Sequence, residues 1–543
     1  MSSPATGEVR DPRKPPQARS FLSVARHHSS TASDAAEGRL DRYHVAIILA
    51  LGLLVRLWLI HAFPVIFGGD SVVRLANRDK ILLSHQLPLL QAAIHYLGLI
   101  STDAALVRWF MAAAGAVAGC GFYLLASALL GRTVGFIAAV FFVVNPFLLA
   151  YSIVPYQEIL MLAGLFFAFH FFFAGKWLAA SAALALACFT RYEAWAAVPV
   201  FLIAFVLRES PTLRSLIKAA LLFAWAPLAW TLYHAGLAPP GAFVLDLSLP
   251  LDRFWRYVYL SWISVKFTPP PVLLLAVAGL WCLWSQGLWR SRRCLMLAAF
   301  VALFLAAILF SAHGDRDQPD RFVSARESHI LLSAVALLAG LGFSRLPRFR
   351  VPVLILCAFW GIFLAHRFVA SETADPKLRL SYDLALYLDQ HVRNGQRAVV
   401  LAKPVSGVLF SDYLNKTTAH GGLAGRRRAL ENLRQLDISP PDYQRTLVHS
   451  RLGKQRLRSL STPLLPPADE VVWRSLPSPD SSAAPGELDW LALWSDFEPA
   501  NSVEARLLEW TSGRRPFYTL RHDSHSVRIY SNAVRPESTS SRP

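Results

Sequence analysis

From residue 44 onward the chain runs in long apolar stretches separated by short polar breaks, with little of the two-residue alternation of a half-buried strand. A helix needs about 20 apolar residues to cross a hydrocarbon core, and fewer where its ends meet water-filled cavities. The pattern predicts about eleven spans, near 44–63, 104–130, 134–152, 158–175, 177–190, 193–207, 216–237, 271–289, 295–312, 329–344 and 351–370. Residues 1–41, rich in Ser, Pro, Ala and Arg, read as a disordered leader. No small-residue cleavage site follows the first apolar run, so that run is expected to persist as a helix.

Two connections and the tail depart from this rhythm. In 64–103, Val72, Val73, Leu75, Ala76, Leu82 and Leu83 recur at helical spacing, Pro88 interrupts, and Leu89 to Leu99 form a second apolar stretch. Two short helices lying in the membrane interface are expected there. The 240–268 connection is similar, with Phe254, Trp255, Tyr257, Tyr259, Trp262 and Phe267 suited to headgroup level. From about 371 to 543 short β-type runs at 398–402, 470–473 and 526–530 alternate with polar helical stretches such as 381–392 and 502–510, predicting a small α/β domain. No internal repeat is visible.

Composition agrees: 54% of the residues are hydrophobic and 17% charged, where a soluble domain carries about 25% charged. The five cysteines fall in or beside apolar runs without CxxC spacing, which indicates neither a zinc site nor a disulfide framework.

The net charge of +18 raises the question of a polyanionic partner, and its placement answers it. Alternate connections hold Arg132, Lys176, Arg208, Arg214, Lys218, Arg290, Arg292, Arg293, Arg345, Arg348 and Arg350 against the single acid Glu209. By the positive-inside bias these are cytoplasmic, so the N-terminus is expected inside and the tail outside. That charge sets topology and calls for no nucleic acid. The opposite connections carry Asp70, Asp79, Asp103, Glu158, Glu193, Asp246, Asp252, Asp315, Asp317, Asp320 and Glu327. The basic stretch from Arg426 to Arg458 reads first as a solvated face and second as a contact for anionic headgroups or an anionic acceptor.

Asp70 is the leading candidate for chemistry. It follows Gly68-Gly69 just beyond the first span, where a carboxylate can accept a proton from an acceptor nucleophile or bind a metal; capping a helix that starts at Ser71 is the equal alternative. Arg191, in Thr190-Arg191-Tyr192-Glu193, lies between two short spans close to membrane depth. A charge there is costly unless paired or functional, and an Arg191–Glu193 pair is the structural alternative. Glu158 opens the fourth span and stands as an acceptor ligand, a second acid, or ordinary dipole chemistry in a first helical turn. Arg326, in Ser324-Ala325-Arg326-Glu327-Ser328-His329, poses the same choice between a function and a pair with Glu327, and His329 between contacting an anion and capping the tenth span. Arg74 lies in the first interfacial stretch. Arg56 is expected to face the bundle and Arg108 to snorkel. His170 reads as a core histidine, and Gly115 and Gly119 as helix-packing positions.

These features together resemble the GT-C superfamily of integral-membrane glycosyltransferases, nearest the branch of protein O-mannosyltransferases and aminoarabinose transferases. The likeness rests on the inside N-terminus, the long first connection, Asp70, the Gln86-Leu87-Pro88-Leu89 segment, the many-spanned core and the external tail. The resemblance implies a catalytic domain over 42–370, a periplasmic α/β domain over 371–543 and a location in the cytoplasmic membrane with the active site facing outward. It also implies a polyprenyl-phosphate sugar donor, a protein, lipid or glycan acceptor, Asp70 as catalytic base, and Arg191 and Arg326 at the donor phosphate, with Glu158 and Glu193 as acceptor ligands or second acids. Gly-Asp-Ser replaces the family's acidic pair, so a divalent metal ion stays open, and the WWDYG-type motif of oligosaccharyltransferases is missing.

The expected activity is therefore inverting sugar transfer. The rivals are a lipid-linked glycan flippase, which would place its ionisable groups near the midplane and show inverted repeats, and a non-catalytic membrane scaffold.

Overall fold

The structure is a computed structural model. It describes residues 31–63, 87–101, 104–209, 212–234, 265–312, 328–346, 350–374, 398–401, 490–495, 508–522 and 525–531, with isolated residues and pairs between them. By internal contacts the chain divides into 1–46 and 47–543.

The first helix, α1 (Thr31–Ala62), crosses that division, and its apolar part is Leu40–Ala62. Then come α2 (Pro88–Ile100), α3 (Ala104–Leu130), α4 (Arg132–Val143), α5 (Pro146–Tyr151), α6 (Glu158–Phe173) and α7 (Trp177–Cys188). A 3-10 turn over Tyr192–Ala196 leads into α8 (Ala197–Glu209), α9 (Leu213–Phe223), α10 (Trp225–His234), α11 (Pro270–Ser285), α12 (Arg292–Phe310), α13 (His329–Phe343) and α14 (Arg350–Glu372).

Among the described residues each predicted span contains helix, although 134–152 and 216–237 are each divided between two helices. Among the described residues three helices, Leu40–Ala62, Ala104–Leu130 and Val351–Glu372, are long and apolar enough to cross a membrane alone, and α9 with α10 makes a fourth if the bent pair is one span. The chain is thus a multi-pass membrane protein, and six shorter apolar helices fill out the bundle.

Two predicted spans are broken, each by proline chemistry. The 134–152 run stops at Val144; the Asn145 side chain then accepts from the N–H groups of Phe147 and Leu148, both at 3.1 Å, and Pro146 opens α5. The 216–237 run bends by 63° between α9 and α10, where Pro227 supplies no N–H for the helical bond back to Phe223.

Reversals between antiparallel neighbours use left-handed glycines. Gly131 (φ 92°) joins α3 to α4 and Gly175 (φ 74°) joins α6 to α7. Helix α11 crosses α13 at close range. A Cβ on Gly279 would strike the Leu338 carbonyl oxygen, and one on Gly342 the Leu275 carbonyl oxygen. Gly119 packs on Val143 and Ile48, the helix-packing role read from sequence. Clusters of phenylalanines fill the interior, two of them between neighbouring helices of the bundle. Phe122, Phe142 and Phe166 join α3, α4 and α6, while Phe169, Phe172, Phe201, Phe205 and Phe223 join α6, α8 and α9.

Of the two helical stretches expected in 64–103, the second is α2; of the first, Ser71, Arg74 and Leu75 are helical, Ile81 is in a bend, and the rest lies outside the described residues. The 240–268 connection contributes β1 (Val244–Leu245), paired antiparallel with β2 (Ser311–Ala312), a ribbon the pattern did not predict. After residue 371, β3 (Ala398–Leu401), β4 (Leu433–Arg434), β5 (Trp490–Trp494), β6 (Tyr518–His522) and β7 (His525–Ser531) form a mixed sheet in the order β4-β3-β5-β7-β6. β3 runs parallel to both β4 and β5, and β7 is antiparallel to β5 and β6. Leu491, Leu493, Val527 and Ile529 are buried in it. The expected strand at 470–473 lies outside the described residues.

Candidate functional site

The chain gathers charge where α6 begins and α7 ends. These helices form a hairpin, so the residues before Glu158 and after Cys188 share one end of the bundle. Thr190 closes α7, donating its hydroxyl to the Leu186 carbonyl at 2.6 Å. The backbone then extends at Arg191 (φ −146°) and tightens into the 3-10 turn that carries Glu193.

Arg191 is the centre of the cluster. Its Nη1 donates to Glu158 Oε1 at 2.5 Å, its Nε donates to Glu193 Oε2 at 3.0 Å, and its Nη2 pairs with Glu193 Oε1. The Glu193 contact is the two-pronged fork that fixes a guanidinium in plane. The Arg191 side chain is 13% exposed and each carboxylate 5%. The Arg191–Glu193 pair expected as the structural alternative is present, and Glu158 joins it from another helix.

A second arginine stands beside this triad. Gln157, with the amide orientation set by its neighbours, donates to the Thr190 carbonyl at 2.7 Å and accepts from Arg74 Nη2. The backbone carbonyl of Arg74 accepts from Gln91 Nε2 at 3.3 Å, and Leu89 N–H donates to the Phe189 carbonyl at 3.1 Å. The first connection, α2 and the end of α7 are thereby tied together. Arg74, Gln91 and Thr190 are all buried. Arg74 and Arg191 balance Glu158 and Glu193, so these four formal charges cancel.

Around the 3-10 turn, Trp230 Nε1 donates to Tyr192 Oη at 3.1 Å and Trp195 Nε1 donates to the Cys188 carbonyl at 3.0 Å. Burial holds the Tyr192 phenol above its ordinary pKa against the opposing effect of the Trp230 bond, with Glu193 adding to the rise.

His329 opens α13, buried, with its ring edge-on to Phe304 at 6.1 Å between centroids and its carbonyl accepting from Ser333 Oγ at 2.7 Å. Asp70 and Arg326 lie outside the described residues. Phe67 and Ser71, described on either side of Asp70, are both buried. Arg108 is completely buried rather than snorkelling, because its Nε donates to the Ile153 carbonyl at 3.0 Å.

Among the described residues no three His, Cys, Asp or Glu side chains come together as metal ligands, and both carboxylates of the cluster are engaged by Arg191. These residues do not fit a divalent ion.

Sequence reasoning missed the link from Glu158 to Arg191 and the bridging roles of Gln157 and Gln91. The hairpin itself held the signal, because two antiparallel helices joined by a short turn must bring residue 158 near residue 190.

Comparison with models of known protein families gives no match, and comparison with curated proteins gives none. Solved structures do match. ArnT from Cupriavidus metallidurans in the apo state superposes with a TM-score of 0.54 at 12% identity, covering 91% of this chain and 98% of that one. The same protein bound to undecaprenyl phosphate gives 0.45 at 12% identity over 70% and 88%. The oligosaccharyltransferase AglB from Archaeoglobus fulgidus, in complex with an inhibitory peptide and a dolichol-phosphate, gives 0.43 at 12% over 83% and 69%. The superposition on apo ArnT, which takes in nearly all of both chains, gives this protein the GT-C fold that the sequence resemblance implied.

Proposed function

We propose that the protein transfers a sugar from a polyprenyl-phosphate donor to an acceptor at the outer face of the cytoplasmic membrane. The observation that carries this reading is the cluster of Arg74, Glu158 and Glu193, all buried, with the half-buried Gln157 and Arg191 at one end of a bundle with the GT-C fold. ArnT, with that fold, has been solved with undecaprenyl phosphate bound, and a lipid phosphate is the chemistry a fixed guanidinium at membrane depth would serve.

In this reading Asp70 takes the proton of the acceptor nucleophile, which attacks the anomeric carbon from the face opposite the phosphate. The bond from that carbon to the phosphate oxygen breaks, its electron pair stays on the phosphate, and the configuration inverts. Arg191 meets the developing charge without reorganising, because Glu158 and Glu193 already fix its plane. The same carboxylates cancel much of its charge, so Arg326 supplies the net positive contribution. The apolar crevice lined by Phe122, Leu165, Phe169, Phe300, Ile330 and Leu337 takes part of the prenyl chain. The tail covers the site and helps choose among protein, lipid and glycan acceptors.

The test is transfer by purified protein from a radiolabelled polyprenyl-phosphate sugar. Asp70→Asn is expected to lower turnover by about 10²- to 10⁴-fold, the range for loss of a positioned base. Full turnover in a folded Asp70→Asn protein removes that role.

A further inference from the structure

Arg56 and Arg108 are both completely buried, on α1 and α3, yet neither belongs to the charge cluster. A guanidinium inside a membrane bundle is costly unless its donors are used, and one that persists there is by default a functional hypothesis. Arg56 Nε donates to Ser152 Oγ at 2.6 Å and Nη1 donates to the Gly52 carbonyl at 3.0 Å, while Nη2 is buried with no partner among the described residues. Ser152 Oγ passes the interaction on, donating to the Leu149 carbonyl at 2.8 Å. Arg108 Nε reaches the Ile153 carbonyl, one residue further along.

Both arginines therefore grip the same place, the turn between α5 and α6. This stretch follows the break at Val144, and an unwound backbone within a bundle must find partners for groups that a helix would have satisfied. Two glycines are shaped to the arrangement. A Cβ on Gly115 would fall on Arg56 Nε, and one on Gly361 on the Val144 carbonyl oxygen at the other end of the break. Gly115 is thus the space for a guanidinium as well as a helix-packing position. The turn held in this way ends at Gln157 and Glu158, the two residues that meet Arg74 and Arg191.

We propose that Arg56 is a positioning residue, which through Ser152 holds the turn before α6 so that Gln157 and Glu158 stay in register with Arg74 and Arg191. Its kinetic consequence rests on the transferase reading above, whereas its structural consequence does not. A single neutral contact would have satisfied Ser152. The guanidinium adds a rigid fork that spans from α1 to the turn.

The experiment measures amide hydrogen exchange in the full-length protein in detergent, comparing wild type with Ser152→Ala, Gly115→Ala, Arg56→Met and Arg56→Lys. Exchange over 152–158 is expected to rise about tenfold in the first three while the amides of α3 and the middle of α6 keep their rates. Arg56→Lys, which keeps a donor near Ser152, is expected to recover part of the protection. In the transfer assay kcat falls about tenfold in Ser152→Ala with the donor KM within about twofold, since the turn orients Arg191 for the leaving phosphate. Unchanged exchange over 152–158 in both Ser152→Ala and Gly115→Ala overturns the proposal, as does a rise spread evenly over the bundle. If wild type transfers no sugar, the transferase reading fails and the exchange arm alone decides this inference.

Discussion

Arg191 pairs with two buried carboxylates, and a neutralisation series separates what that pairing does for the fold from what it does for a phosphate. Replacing Arg191 with Met leaves Glu158 and Glu193, each 5% exposed, facing one another without the cation that joins them. Breaking a buried ion pair from one side costs about 3–5 kcal/mol, most of it the penalty of the charge left behind. Glu158→Gln is a smaller loss, because the two-pronged Glu193 contact stays; about 1.5–3 kcal/mol is expected, the scale of one hydrogen bond to a charged group. The triple variant Arg191→Met/Glu158→Gln/Glu193→Gln strands neither carboxylate, and Arg74, the charge that stays, keeps its contact to Gln157, so it should lie closer to wild type than Arg191→Met alone. Unfolding in mixed micelles with increasing SDS gives the ranking, and the coupling between positions 191 and 158 should exceed about 1 kcal/mol. Donor KM then reads the other role. If Arg191 also binds the lipid phosphate, KM rises in Arg191→Met and stays high in the triple variant even as stability returns. Effects that simply add, or a triple variant less stable than Arg191→Met, would refute the mutual-neutralisation argument.

Three further outcomes follow from the fold. Gly342→Ala places a methyl group on the Leu275 carbonyl oxygen, so α11 and α13 must separate; overpacking of this kind costs about 1–3 kcal/mol, read as a lower thermal midpoint in detergent. Asn145→Ala removes the acceptor of two buried N–H groups at the start of α5 and is expected to cost about 2 kcal/mol, the upper end for an N-cap, whereas Asn145→Ser, which keeps a neutral capping oxygen, should lose less by the same measurement. Burial, and then the neighbouring Tyr518 phenol, hold the Tyr387 phenol above its ordinary value. The folded tail therefore binds the phenolic proton more tightly than the unfolded chain, so its contribution is intact below pH 10.0, the ordinary value, and is lost as the pH climbs above it. Tail unfolding followed by tryptophan fluorescence should become easier above that pH, and less so in Tyr387→Phe.

What the sequence made legible was helix existence, and in places helix ends. The 104–130 run is the helix Ala104–Leu130, and the run starting at 158 is the helix starting at Glu158, because long apolar runs leave the backbone one way to satisfy its N–H and C=O groups. The breaks inside 134–152 and 216–237 were overlooked although Asn145-Pro146 and Pro227 mark them, since hydropathy continues across a proline while the helical bonds do not. The β5 strand was missed for the opposite reason. Trp490 to Trp494 reads WLALW, apolar without alternation, and its buried pairing with β3 and β7 depends on partners nearly a hundred and nearly forty residues away.

The site divides along the same line between local and distant information. Arg191 and Glu193 are two residues apart, and their pairing was among the readings of a charged turn at membrane depth. Glu158 is 33 residues from Arg191, and no local spacing links them. Helix geometry does: α6 has 16 residues and α7 has 12, about 24 Å and 18 Å of rise at 1.5 Å per residue. The extra turn of α6 is matched by the stretch from Phe189 to Arg191, so the first residue of the hairpin returns beside the last. A hairpin length of this kind brings two distant acids and an arginine into one ion-paired cluster, and it is why changing the length of the α6–α7 turn should disrupt Arg191 as surely as changing Arg191 itself.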